Sequence, residues 1–214
     1  MNNKRNIIIN VILLLIAITF TILVKVVDVK TIGIDNSSIG FATINQFIFE
    51  TIGVNMIWYH ITDYLGLIAI LFALVYAFMG FIQLIKKRSI FKVDKKFILL
   101  GIYYVAVIAI YLFFEKVIIN YRPILIDGIK EASYPSSHTV LTICICGSSI
   151  LINKLLFNKK ITKILNILLT IILIVTVIGR LISGVHWFTD IIGGILISSS
   201  LLMTFYNSLN IIKK

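Results

Sequence analysis

Proline is nearly missing from this 214-residue chain, with two residues, and cysteine is as scarce, also with two. Charge is thin as well: 14% of the residues are charged, and only nine are acidic. Each scarcity excludes something. Two prolines beside 12 glycines rule out collagen-like and low-complexity chains. Cys144 and Cys146 cannot build a disulfide framework or a zinc site, because residues two apart on a helix point about 200° from each other. They read as small buried apolar residues. The low charge, against about 25% in an ordinary soluble domain, comes with 59% hydrophobic residues and a mean hydropathy of +1.05. A soluble globule and a solvated disordered chain are both excluded. An integral membrane protein remains.

The net charge of +11 raises the question of nucleic acid, and the placement of the charges answers it. The basic residues form short clusters between long apolar runs, the pattern of membrane-protein loops rather than of a groove that tracks phosphates, so no nucleic acid is expected. Apolar runs near the ~20 residues needed to cross a bilayer occur at about Ile7–Val27, Tyr64–Ile85, Phe97–Phe114, Thr139–Leu156, Ile161–Ile178 and Ile191–Tyr206. Six spans put both termini on one side of the membrane. Fourteen of the 20 basic residues fall on that side, from Lys4 and Arg5 through Lys86–Lys96 and Lys154–Lys163 to Lys213 and Lys214. Lys25, Lys30, Lys116, Arg122, Lys130 and Arg180 fall on the other. The positive-inside rule makes the termini cytoplasmic and the protein multi-pass in the plasma membrane.

The first run follows Lys4 and Arg5 as a signal peptide would, yet it is long and no small-residue cleavage site follows, so an uncleaved anchor is expected. The stretch Ile44–Ile61, with Trp58 and Tyr59, is too polar to span and suits a short interfacial helix in the first outer loop. No repeat or linker divides the chain. The expected architecture is all-α, six transmembrane helices plus that short helix, in a single domain over residues 1–214.

The polar residues of the two remaining outer loops are concentrated. One loop reads EKVIINYRPILIDGIKEASYPSSHT and the other GRLISGVHWFTD. Ionisable groups at membrane depth are costly and mark functional sites, and Arg122, His138, Arg180, His186 and Asp190 all lie at helix ends on one side. His186 and Asp190 are four residues apart, so on a helical turn the carboxylate can accept from the imidazole and leave the other ring nitrogen free for attack. A cap at the start of the sixth helix explains Asp190 equally well on its own. Arg122 and Arg180 carry planar forks suited to phosphate oxygens; a lone arginine there would more often snorkel to headgroups, but two arginines beside two histidines favour a site. Tyr134-Pro135-Ser136-Ser137-His138 has the composition of a helix start, whose free N–H groups can take an anion. Asp127 and Glu131 match no metal-ligand spacing, and no metal or cofactor is expected.

These residues carry a resemblance. RP, then PSSH, then R(x5)H(x3)D in that order resembles the three-part signature of the type-2 phosphatidic acid phosphatase family, K(x6)RP, PSGH and SR(x5)H(x3)D. The motifs cover residues 116–190, and the six-span layout extends the likeness over roughly 64–206. The resemblance implies that His186 is the nucleophile of a phosphohistidine route, Asp190 its orienting group and His138 the acid for the leaving group. It implies further that Arg122, Arg180 and Ser136 bind the phosphate. Three departures stand out. Glu115 occupies the lysine position, with Lys116 one residue late; Ser137 replaces the motif glycine; and Gly179 replaces the third motif's serine, which removes a donor worth about 1 kcal/mol. Because the nucleophile, orienting group, acid and both arginines are present, these changes are expected to tune specificity rather than abolish turnover, with Ser137 and Lys116 among the expected phosphate-binding residues.

The expected function is metal-independent hydrolysis of a phosphate monoester or pyrophosphate on a membrane lipid, at the outer face. The family's bacterial substrates are undecaprenyl pyrophosphate, phosphatidylglycerol phosphate and phosphatidic acid; outward orientation favours envelope-lipid recycling and hence the first. Expected partners are the lipid phosphate and the bilayer, with the oligomeric state open, since Gly193 and Gly194 permit close helix approach within or between chains. The alternative is a lipid-phosphate binding or transport protein of the same fold without turnover. A pore or carrier ranks last, because the spans hold few charges at mid-depth. His60, beside Trp58 and Tyr59, reads as interfacial.

Overall fold

The computed structural model describes residues 2–212, so Lys213 and Lys214 lie outside the described residues. Seven α-helices run through these residues: α1 (Asn2–Val26), α2 (Ala42–Ile52), α3 (Met56–Lys87), α4 (Lys95–Lys116), α5 (Ser137–Leu156), α6 (Lys159–Ile182) and α7 (Phe188–Ile212). All except α2 are long and apolar enough to cross a membrane. Their outer faces expose Ile7, Leu15, Ile22, Leu71, Phe78, Val105, Ile164 and Ile171, among others. Backbone polar groups are satisfied within each helix, so such faces are compatible with lipid and not with water. The chain is an all-α, polytopic membrane protein.

The centre of the bundle is α5. Within its most apolar window 67% of the residues are buried, against 11% in α1. Small residues permit this: Thr142, Cys144, Cys146, Gly147, Ser148 and Ser149 are all buried, and a β-carbon at Gly147 would stand 2.5 Å from Leu202 on α7. Both cysteines are free thiols. Polar ties cross the helices around this core. Tyr76 on α3 donates to Asn153 on α5 at 2.6 Å, and Asn153 donates in turn to Asn166 on α6 at 2.9 Å. Antiparallel α1 and α7 are joined near the termini by Asn10 and Thr204 at 3.0 Å.

The first loop differs from expectation. Ile44–Ile61 is not one surface helix, because α2 ends at Gly53, which holds φ +70, and α3 starts anew at Met56. The Asn55 side chain caps α3 by accepting from the N–H groups of Ile57 and Trp58. Trp58 and Tyr59 therefore belong to the second span, which begins two turns before Tyr64. Trp58, Tyr59, His60, Thr62 and Asp63 lower the local hydropathy, and this hides the helix start from an apolar-run reading. Nor is α2 purely superficial. Asn45 on it is buried, donates to Thr189 Oγ1 at 2.9 Å and accepts from Thr189 N at 3.1 Å, which fastens α2 over the start of α7. Gly184, at φ +68, lets the α6–α7 connection meet Gly53: a β-carbon there would fall 2.2 Å from the Gly53 carbonyl.

The loop between α4 and α5 folds back on itself. Tyr121 pairs antiparallel with Ala132, and Ile126 with Ile129, around Asp127 and Gly128 at φ 50 and 75. Two consecutive positive φ values at Asp-Gly are the signature of a two-residue hairpin turn. Arg122 and Ser133 are thereby brought onto adjacent arms, at the bundle end opposite the chain termini.

Candidate active site

His186 sits in the short connection between α6 and α7, buried at 4% exposure. Asp190, in the first turn of α7, is completely buried. The i, i+4 spacing does bring them together, but Nδ1 of the ring lies 3.8 Å from Asp190 Oδ2, too far for the direct hydrogen bond expected from the spacing. Ser133 stands between them. Its hydroxyl donates to Asp190 Oδ2 and lies 3.1 Å from His186 Nδ1. Since that hydroxyl proton is committed to the carboxylate, the serine oxygen must accept from an N–H on Nδ1. The relay fixes the tautomer, leaving the lone pair on Nε2, which is buried and has no partner among the described residues. Asp190 Oδ2 also accepts from Trp187 N at 2.8 Å, so one carboxylate caps the start of α7 and orients the imidazole through Ser133. Asn120 approaches Oδ1 at 3.4 Å.

The electrostatics suit this tautomer. Burial holds the His186 pKa well below its ordinary value, and the positive charges of Arg122, Arg180 and His138 push it the same way. The ring is neutral with its nucleophilic lone pair available. The sign is testable by NMR on the chain's three histidines. As pH falls through about 6.5, where an exposed histidine is half protonated, His186 should remain neutral; its protonation there would contradict the assignment.

Arg122 and Arg180 arrive from different elements. Arg122 is held on the hairpin arm, where its N–H donates to Glu131 O at 3.1 Å and its Nε lies 3.0 Å from Glu131 Oε2. That Nε–H is not aligned on the carboxylate, and Nε and Nη1 have no hydrogen-bond partner among the described residues. Arg180, in the last turn of α6, is fully buried, pairs through Nη2 with Asp63 of α3 and lies over the Tyr59 ring at 4.9 Å. Its Nε and Nη1 likewise lack partners there. His138, in the first turn of α5, directs Nε2 to Asp63 at 3.1 Å and leaves Nδ1 unpartnered. Arg122, Arg180 and His138 all act electrostatically on His186, and each keeps ring or guanidinium nitrogens without a partner among the described residues.

The remaining expected residues divide. Ser136 caps α5: its Oγ is buried and accepts from Thr139 Oγ1 at 3.1 Å, so its hydroxyl serves the helix start. Ser137 lines the pocket with His186, Ser133 and Tyr134. Lys116 does not; it is exposed at the end of α4. Glu115, at the motif's lysine position, lines the pocket instead. The glycine at position 179 has a packing reason, since a β-carbon there would come within 2.6 Å of Thr62 Cγ2 on α3, leaving no room for the motif's serine. Gly193 and Gly194 make their close approaches within the chain, to Tyr134 and Thr139. Asp63 and Ser133 were not singled out in the sequence. Asp63 offered a signal, being the acidic residue of an otherwise apolar span; Ser133 offered none.

Residues 114–213, which carry all three motifs, match the family model described as the PAP2 superfamily. Over this segment, a little under half of its length, the chain is similar to that superfamily. No curated protein matches the chain in sequence. Among solved structures, its fold is similar to that of a transmembrane PAP2-type phosphatidylglycerolphosphate phosphatase from Bacillus subtilis, with a TM-score of 0.62 and 17% identity, over 93% of this chain and 94% of that one.

Proposed function

We propose that the protein is a metal-independent lipid phosphatase working through a phosphohistidine on His186, with the pocket facing the extracytoplasmic side. The observation that carries this reading is the Asp190–Ser133–His186 relay, which presents an unprotonated Nε2 within the electrostatic reach of two arginines that keep unpartnered donors. In the first step the Nε2 lone pair forms a P–N bond while the ester P–O bond breaks, its electron pair leaving on the lipid oxygen. His138 gives that oxygen a proton. In the second step water attacks phosphorus, loses a proton to His138, and the P–N electrons return to Nε2. Arg122 and Arg180 hold the equatorial oxygens, where charge gathers in the transition state.

The lipid chain has a place beside this pocket. An apolar cavity of about 490 Å³ between α1, α4 and α7 is lined by Leu14, Ile18, Ile110, Phe113, Phe114 and Ile197, among others, and Phe114 lines the reactive pocket too. Its size and lining suit part of an acyl or prenyl chain. The positive-inside count supports the orientation. The second reading, binding without turnover, is favoured by Glu115, whose negative charge replaces a cation expected next to phosphate.

The test is phosphate release by the detergent-purified protein, in excess chelator, from phosphatidic acid, phosphatidylglycerol phosphate and undecaprenyl pyrophosphate. Chelator-resistant release, with an acid-labile, base-stable phosphoprotein on rapid quenching, is expected, and the preferred lipid identifies the substrate. Binding of these lipids with no release from any would overturn the enzyme reading in favour of the second.

A further inference from the structure

Asp63 lies outside the three motifs and outside the segment matched to the family, on the second turn of α3. Its Oδ1 is nonetheless the atom on which two reactive-pocket groups meet, His138 Nε2 at 3.1 Å and Arg180 Nη2. The surface of α3 is shaped around this meeting. Gly66, one turn on, faces the imidazole so closely that a β-carbon there would stand 3.0 Å from His138 Cδ2. Tyr59, one turn before, lies beneath the Arg180 guanidinium. Tyr59, Asp63 and Gly66 thus form a stripe at i, i+4 and i+7 that receives both groups.

We propose that Asp63 is a positioning residue that aims His138 and Arg180 together. With Nε2–H donated to Asp63, the proton that reaches the leaving group must travel on Nδ1, the nitrogen left unpartnered. A carboxylate on the far side of the ring stabilises the imidazolium that carries that proton. On Arg180, Asp63 occupies Nη2 and leaves Nε and Nη1, the two donors of one edge of the fork, for phosphate oxygens. The pair His138–Asp63 becomes the acid-side counterpart of His186–Ser133–Asp190.

The inference rests on the proposed phosphatase reading, and its test separates the two through the leaving group. An alkyl phosphate needs a proton on its departing oxygen, whereas p-nitrophenolate leaves without one. Asp63→Asn is therefore expected to lower the rate of phosphoenzyme formation, read by rapid quench, by about tenfold to a hundredfold on phosphatidic acid and far less on p-nitrophenyl phosphate, and to raise KM for both through Arg180. An equal fall in that rate on the two substrates would overturn the proposal and leave the phosphatase reading standing. Release from neither substrate by the unaltered protein would overturn both. Should Asp63→Asn not fold, Asp63→Glu serves instead: it keeps the charge but displaces it by one methylene, and the same unequal loss is expected, the same equal loss decisive against it.

Discussion

Replacing His186 with alanine is expected to lower phosphate release from the preferred lipid by about three orders of magnitude or more, with the fold intact. The size follows from the role. A nucleophile that forms a covalent intermediate has no understudy, and losses of this order or larger accompany its removal where residues act as a unit. The fold should survive because Nε2 makes no hydrogen bond among the described residues and Nδ1 reaches only Ser133. Truncation leaves Ser133 still donating to Asp190 and Trp187 N still capped. Two measurements check the prediction: steady-state release, and acid-labile phosphoprotein after rapid mixing with radiolabelled lipid. Release within tenfold of the unaltered protein, or a phosphoprotein that persists in His186→Ala, would place the nucleophile elsewhere.

Which parts of this protein were legible in the sequence follows from the range of the interactions involved. The six spans were readable because hydropathy is local and additive, and their ends were least so where polar residues serve the pocket instead of lipid, as at Trp58–Asp63. The proximity of His186 and Asp190 was readable from their spacing of four residues, but His186 precedes α7, and the two approach only to 3.8 Å. The serine between them was not, since Ser133 comes from another loop 53 residues away. That loop's hairpin was written locally in Asp127-Gly128, but a two-residue turn says nothing about what its arms will touch. Asp63 is the clearest case. It meets Arg180 across 117 residues, and no spacing rule relates them; only packing of α3 on α5 and α6, permitted by Gly66 and Gly179, makes them neighbours. The motif departures were visible as letters, and the structure supplies a physical cause for Gly179, namely Thr62.

Arg180 should show the second largest effect, and here charge and geometry can be told apart. Arg180→Ala removes a buried pair of donors that have no partner among the described residues, and the expected loss in kcat/KM is about 10²- to 10³-fold. Arg180→Lys keeps the charge but loses the planar fork and the stacking on Tyr59, so it should recover only a minor part. Stability should respond as well, because the guanidinium is fully buried while the Asp63 side chain is 32% exposed. Solvent can recover part of what Asp63 loses, so the destabilisation should fall below the about 3–5 kcal/mol seen when one member of a fully buried pair is removed. Asp63→Asn, by contrast, strands the buried guanidinium and should lower the melting temperature in detergent more than Arg180→Ala does. Kinetics on one lipid and melting curves for the three variants decide it. Arg180→Ala within tenfold of the unaltered protein would remove Arg180 from the phosphate clamp. Arg180→Lys equal to the unaltered protein would mean that the pocket uses the charge of this residue and not its fork, and would leave Arg122 as the bidentate partner of the phosphate.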